Sequence, residues 1–385
     1  MRVRLRTLSP LHIGGREGAL NPLEFVVFES RCYVISETKL ARALQERDQI
    51  DTFYTWFTDR HRPALREFLH ENQLLNAGFL ERVAAYSSPC SIRITQDLRT
   101  FVRDAFNRPF LPGTSLKGAV RTALLYKLLK EHPPARRKAL LEDFVAARLQ
   151  EYRQDPRGQQ RLRWFQERFK QWFAQRFEAD VFQKFTLREG QRRYDPHTDL
   201  LRCLRVTDAT PVEPQTARVE EIKIFSAHSS ESPKRWSLYA ECIPVGETFE
   251  CEMVLDEGLL STFAKMNPQP WFGVDFAAFR QWLHNPLEVW TEMGRDLWEQ
   301  EAVFFSRELR LTSVLPDPGG RPVVRLGWGG GLRGTSIDML LPDSLMQDLR
   351  NTLFSDRGTA PAPKSLKLVL QGQNRVASLG WLVTE

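Results

Sequence analysis

Period-two strand patterns stand at both ends of this sequence, and a long basic block of helical periodicity lies between them. The opening stretch RVRLRTLS alternates Val3 and Leu5 with Arg2, Arg4 and Arg6, the period of a half-buried strand, and predicts three arginines on its outward face. A glycine-rich loop, HIGGREG, follows. EFVVF and RCYVI then read as two short strands turning at Glu29 and Ser30, with Ser36 as N-cap of a helix over ETKLARALQER. From Leu200 the strand patterns return in LRCLRVTD, RVEEIKIFS, WSLYAECI and ETFECEMVL, and the chain closes on KLVL and GWLVT. Strands and helices interleaved in both halves predict an α+β protein, and 385 residues with 42% hydrophobic content suffice for more than one core.

Two helical blocks interrupt the strands, at about 51–86 and 135–185. In the first, Phe53, Trp56 and Phe57, then Leu65, Phe68 and Leu69, recur at helical spacing and predict two or three helices. In the second, Trp164, Phe165, Phe169, Trp172, Phe173 and Phe177 recur at steps of three or four. Such a stripe can stack bases, but aromatics on one helical face are more often core. Between the blocks, CSIRI and RTFVRDAF read as a β pair with Asn107 and Arg108 in a turn, before PFLPGTSLKG opens a helix ending near Lys130. Later come helical material over 257–300, a helix near Leu345 to Leu353 and the Pro-rich linker TAPAPKS. The order divides the chain into 1–185, with its two helical insertions, and 186–385, with a glycine-rich loop at 327–335.

No apolar run approaches the roughly 20 residues of a bilayer span, and the N-terminus lacks the apolar stretch of a signal peptide, so the expectation is a cytoplasmic protein with no membrane partner. Cys32, Cys90, Cys203, Cys242 and Cys251 include no C-x-x-C pair. The seven histidines show no metal-ligand spacing, and neither a metal nor a cofactor is expected. Net charge is only +6, yet the basic residues comprise 42 arginines and 12 lysines. Arginine pairs bidentately with phosphate and stacks on bases, which suits nucleic-acid contact; a GC-rich coding sequence inflates arginine equally well.

Three stretches can carry chemistry. In PGTSLKGAVRTALL, Pro112 and Gly113 make a turn, Thr114 or Ser115 can cap, and Leu116, Val120, Leu124 and Tyr126 give an apolar face. The exposed amides of a first helical turn attract anions, and Lys117 and Arg121, four apart, share a helical face that would strengthen the field. A Walker loop is excluded because Lys117 precedes Gly118 instead of following it. A plainly capped helix remains the competing reading. GWGGGLRGTS contains Gly327, Gly329, Gly330, Gly331 and Gly334, with Arg333 beside them. Such a run implies positive φ or close approach of backbone amides to a phosphodiester, or else a flexible surface loop. In LSPLHIGGREG, His12, Gly14, Gly15 and Arg16 share one turn. His12 is a candidate general base for RNA cleavage, or a structural or RNA-contacting histidine, since no catalytic partner is identifiable.

LSPLHIGG, FLPGTSLKGAVRTALL, LRCLRVTDA and the late GWGGG loop, in that order, resemble the RAMP superfamily of CRISPR proteins, and within it the family of fifth subunits of type III-A (Csm) effector complexes. The resemblance runs through most of the chain but adds little at the two helical blocks. It implies two ferredoxin-like (RRM-like) RAMP domains and a non-catalytic RNA-binding subunit that caps the subunit filament at the crRNA 3′ end. It also implies a role in maturing that end and in antiviral defence, with crRNA, the adjacent backbone subunit and host trimming nucleases as partners. The RNA-binding residues it implies are Ser115, Lys117 and Arg121, with Gly327, Gly329, Gly330, Gly331 and Arg333; His12, Gly14, Gly15, Arg16, Gly113 and Thr114 complete the candidate set. A RAMP endoribonuclease cleaving CRISPR repeat RNA, with His12 as base, is the alternative.

Overall fold

The computed structural model describes the chain except residues 157–161, 174–176, 178, 189–190, 215, 228, 230–232, 267–275, 312, 332, 355–356 and 372–374. The strand Arg2–Thr7 buries Val3, Leu5 and Thr7 and turns its arginines outward, as its alternation predicts. It lies inside a six-stranded sheet, hydrogen-bonded on one side to Thr248–Leu255 and on the other to Trp381–Thr384. Val323–Arg325 extends the sheet beyond Trp381–Thr384, while Thr210–Pro211 and Leu204–Val206 pair with Thr248–Leu255, and every one of these pairings is antiparallel. The outward arginines are largely neutralised by their neighbours: Arg2 and Arg4 meet Glu250 at 3.2 and 2.8 Å, and Arg6 meets Glu385 at 3.9 Å.

A second six-stranded sheet runs in the order Arg375–Ala377, Ser365–Gln371, Arg218–Ser226, Leu238–Cys242, Leu98–Phe101, Gly14–Leu20. Its one parallel pair, Leu238–Cys242 with Leu98–Phe101, is flanked by antiparallel pairs. Both large sheets draw strands from either side of residue 185, because the first strand hydrogen-bonds to segments some 250 and 380 residues along the chain. Smaller sheets join Phe25–Phe28, Arg31–Ile35 and Ala84–Pro89, and Lys184–Arg188 with Gln191–Asp195. Glu29 and Ser30 both have positive φ, 45° and 61°, the geometry of a two-residue hairpin turn that follows strand twist.

The helices fall close to the expected blocks, with shifted ends. Glu37–Gln45, capped by Ser36 at the amide of Lys39, is joined by Ile50–Thr58, Leu65–Glu71 and Ala77–Val83 around a core of Trp56, Phe68, Leu69, Phe79 and Leu80. The block ends at Val83 because Ala84–Pro89 pairs with Arg31–Ile35. The later block holds Pro134–Arg137, a π-helical turn at Lys138–Glu142, Asp143–Gln154, Leu162–Phe173 and Asp180–Phe182. Its aromatic stripe is core: Phe165, Phe169 and Phe177 are buried and Trp172 and Phe173 pack on them, while Trp164 is 51% exposed.

Two strand expectations fail in opposite directions. CSIRI is not a strand, since only Leu98–Phe101 pairs there; Arg103 and Pro109 make an isolated bridge around the 104–108 turn. HIGGREG is no open loop, because Gly14–Leu20 pairs with Leu98–Phe101 across a register shift, an irregularity that glycine accommodates. No helix among the described residues is long and apolar enough to cross a membrane.

Candidate nucleic-acid interface

The helix Gly113–Glu131 packs against the long helix Pro286–Arg307 and buries Leu116, Val120, Leu124 and Tyr126, the apolar face expected of it. Its start is fixed by close approach to the first sheet. A Cβ on Gly113 would stand 2.5 Å from the carbonyl oxygen of Val206, so glycine is required there. The Gly113 amide donates to Asp208 Oδ1 at 2.7 Å, and the amides of Ser115 and Leu116 turn back to the Pro112 carbonyl. Asp208, from a distant segment, therefore does the capping expected of Thr114 or Ser115, which lie inside the first turn. A carboxylate already occupies the positive end of the helix dipole.

The charged residues of this helix also look inward. Arg121 grips Asp199 with both terminal nitrogens, at 3.1 and 2.9 Å, and its guanidinium lies 4.2 Å from the Phe182 ring centroid. Lys117 is half-buried; burial pushes its ammonium below the usual lysine range, against the pull of Asp199. The opposite face carries Ser115, Gly118, Ala119 and Thr122 at helical spacing, and it opens onto a cleft of about 210 Å³.

The far wall of that cleft is the glycine-rich loop, through Gly327, Gly334 and Thr335, with Arg325 behind. Gly327 has φ +79°, and a Cβ there would meet the His12 carbonyl oxygen at 2.3 Å; the Trp328 amide donates to the same oxygen at 2.8 Å. Gly329 (φ +100°) rides on Leu379 and Gly331 (φ +67°) on Leu366. The loop is thus packed on its own chain, and its glycines are needed for that contact. Gly330 lies 3.3 Å from Arg325 Nε by the same measure. Arg333 binds the loop down, donating to Asp343 Oδ1 at 2.6 Å, the Ala362 carbonyl at 2.9 Å and Gln300 Oε1 at 3.2 Å.

The floor of the cleft is the helix Pro286–Arg307. Gly294 lets it approach the strand Val323–Arg325, since a Cβ there would stand 2.0 Å from the Val323 oxygen. Arg325 donates to Glu301 Oε2 at 2.7 Å and stacks 4.6 Å from the Trp381 ring centroid.

His12 joins the two glycine stretches from beneath. It is 2% exposed, edge-on to Trp328 and Phe101. Its Nδ1 lies 2.7 Å from the Glu241 carbonyl, which can only accept, so Nδ1 carries the proton. Burial pushes the ring below the ordinary histidine range. Gly14 stands against His12 Nε2 and Gly15 against Thr100. Arg16 falls in the strand, with its side chain outside the described residues.

The structure therefore brings the three sequence motifs together but exchanges their roles. Small and hydroxyl residues face the cleft, while Arg121, Arg333 and His12 contact the protein's own groups and Lys117 is half-buried. Gly118, Thr122, Thr335 and Arg325 were missed. The signal available was the small-residue spacing of Ser115, Gly118, Ala119 and Thr122 in a helix otherwise rich in large side chains. Among the described residues no group of three His, Cys, Asp or Glu side chains could hold a metal ion, and the five cysteines are buried and free.

The whole fold is similar to a chain of the cryo-EM structure of a Csm-crRNA-target RNA ternary complex from a type III-A CRISPR-Cas system, with TM-score 0.70, 22% identity and 100% of both chains covered. It is also similar to the crystal structure of T. onnurineus Csm5, with TM-score 0.60, 20% identity and 99% of both chains covered. In sequence it is 30% identical over 135 residues to the Streptococcus thermophilus protein described as CRISPR system Cms protein Csm5; the match spans 32% of this chain and 37% of that protein. The family model described as RAMP superfamily matches residues 4–320, which include the LSPLHIGG and PGTSLKG stretches and end just before the glycine-rich loop, and the chain belongs to that superfamily.

Proposed function

We propose that this chain is an RNA-binding subunit of a type III-A CRISPR (Csm) effector complex, acting inside the cell in antiviral defence. It caps the filament at the crRNA 3′ end and serves maturation of that end without itself cutting. Its partners are crRNA, the adjacent backbone subunit and the nucleases that trim the guide. Similarity to Csm5 and to a chain of the Csm-crRNA-target RNA complex supports the reading. The parallel strand pair flanked by antiparallel ones in the second sheet is consistent with a ferredoxin-like unit.

The observation that carries RNA binding is Gly118. Gly113 and Gly294 are glycine because a Cβ would strike protein backbone, whereas a Cβ on Gly118 would meet nothing within 4 Å. Glycine in a helix interior costs about 1 kcal/mol relative to alanine, and no packing within the chain explains that cost. A ligand backbone lying against the helix, between Ser115, Thr122 and the glycine-rich loop, does explain it. Hydroxyls and backbone suit recognition of RNA by sugar and phosphate instead of by base sequence.

No observation favours a repeat-cleaving endoribonuclease based on His12, whose ring is buried and held by Glu241. Gly118→Ala is expected to raise the stability of the free protein by about 1 kcal/mol, and Gly118→Leu to weaken single-stranded RNA binding at least tenfold. Wild-type RNA affinity in Gly118→Leu would remove the cleft from the RNA path. Native mass spectrometry of the assembled complex should give one copy of this chain, and several copies would overturn the capping role.

A further inference from the structure

We propose that Arg99 and Lys367, set against the Trp328 indole on the second sheet, form a subsite for the phosphodiester backbone of single-stranded RNA. This rests on the RNA-binding reading above and extends the RNA path from the cleft across the glycine-rich loop.

The register of the sheet carries the argument. Arg99 lies opposite Ala240, and Lys367 opposite Ile224. The same sheet contributes Ile222, Ala240, Cys242 and Val369 to an apolar patch closed by Leu379, with Trp328 packed on it. Arg99 Cζ lies 5.1 Å from the Trp328 ring centroid and Lys367 Nζ 5.2 Å from it, so two cations share one indole. Trp328 directly follows Gly327, which lines the cleft. A strand of RNA leaving the cleft past the loop would meet this pair.

What marks the pair is the want of a counter-charge. Lys367 is partly buried and Arg99 beside it is exposed, whereas the partly or wholly buried Arg103, Arg121, Lys127 and Arg325 are paired with Glu241, Asp199, Glu292 and Glu301. Among the described residues no ion pair or hydrogen bond is found for the side chains of Arg99 and Lys367, and the ring contact is what holds them. Glu220, on the strand between, is paired with Arg218 at 2.9 Å. Burial pushes Lys367 below the usual lysine range, and the charge of Arg99 pushes it the same way. An indole face attracts a cation but cannot neutralise it. A phosphate oxygen between the two would relieve both the desolvation and the repulsion. The repeated anions of an RNA backbone, already directed here by the cleft, fit better than an isolated carboxylate.

The test uses the full chain and a fluorescein-labelled oligouridylate, with anisotropy followed across a salt series. Each phosphate contact on a single strand contributes about 0.7 to the slope of log K against log salt, so Arg99→Gln with Lys367→Gln should flatten the slope by about 1.4 and weaken binding at low salt. Lys367→Arg, which keeps the charge, should retain the wild-type slope and guards against a folding artefact. Unchanged slope and affinity in a folded double variant would overturn the subsite while leaving the RNA-binding reading intact. Failure of the wild type to bind RNA would overturn both. RNA binding intact but incorporation beside the neighbouring subunit lost would overturn it in favour of an acidic protein surface.

Discussion

Replacing Glu241 by glutamine tests whether the buried acid beneath the three motifs holds them together. Its side chain is fully buried and accepts four hydrogen bonds: Ser88 Oγ at 2.6 Å and Arg103 Nη2 at 3.0 Å on one oxygen, the Phe101 amide at 2.9 Å and Tyr86 hydroxyl at 3.2 Å on the other. Glutamine keeps the shape, but its NH₂ cannot accept, so whichever way the amide faces one N–H donor, Arg103 Nη2 or the Phe101 amide, loses its acceptor, while the Ser88 or Tyr86 hydroxyl on that side can turn to accept from the amide. Arg103, with 9% side-chain exposure, also loses its counter-charge. It cannot readily swing out to water, being stacked 4.0 Å from the Tyr86 ring centroid and bonded to the Asn107 carbonyl. A stranded buried donor costs about 1–3 kcal/mol and a broken buried ion pair about 3–5 kcal/mol. These overlap, and a loss of about 4 kcal/mol is expected, a large part of the roughly 5–15 kcal/mol that holds a domain folded. Urea unfolding followed by tryptophan fluorescence measures it. Arg103→Met added to Glu241→Gln should recover part of the loss, because both charges then go together. A loss below about 1 kcal/mol, or strict additivity of the two substitutions, would show that the carboxylate is not the hub its hydrogen bonds describe.

Three further outcomes follow from particular contacts. Burial raises Asp338 to about 6, above the ordinary aspartate value, so the folded state binds the proton more tightly than the unfolded chain. Its penalty is full above that pKa and disappears as pH falls through it towards the unfolded value, so Asp338→Asn should stabilise the protein by about 3 kcal/mol near pH 8 and by little near pH 4, as melting curves at the two pH values will show. Arg121→Ala strands Asp199, which also accepts from Gln183 and the Leu201 amide, and should cost about 1.5–3 kcal/mol in urea unfolding while leaving the salt slope of RNA binding unchanged. Gly294→Ala forces its helix away from the Val323 carbonyl and should cost at least about 1–3 kcal/mol in the same assay.

The strands and helices that could be read from the sequence are those with a clean period. RVRLRT puts every second residue in the core, and the aromatic stripe at Phe165, Phe169 and Phe177 turns inward as helical spacing demands. The errors fall where local pattern and tertiary pairing disagree. CSIRI has the composition of a strand but forms no ladder: its Cys90 amide bonds to the Ser30 carbonyl, while the sheet pairing falls at Leu98–Phe101. Gly14–Leu20 has the composition of a loop but lies along the edge of Leu98–Phe101, which supplies the missing pairing. The exchange of strands across residue 185 could not be read at all, because pairing between Arg2–Thr7 and Trp381–Thr384 leaves no trace in either segment alone.

The candidate site was legible in its glycines and illegible in its charges, for a common reason. A positive φ or a backbone contact admits little besides glycine, so Gly113, Gly327 and Gly329 announce a close approach wherever they stand, even though the partner turned out to be the chain's own backbone and side chains. A cation announces only that an anion is near. In a chain with 54 basic and 48 acidic side chains, most anions are carboxylates of the same molecule, and Asp199 and Asp343 pair with Arg121 and Arg333. On the RNA-binding proposal, Arg99 and Lys367 are cations that strand register sets against the Trp328 ring without an ion pair among the described residues. Register is a property of the folded sheet, and so the sequence could not distinguish these two from the other basic residues.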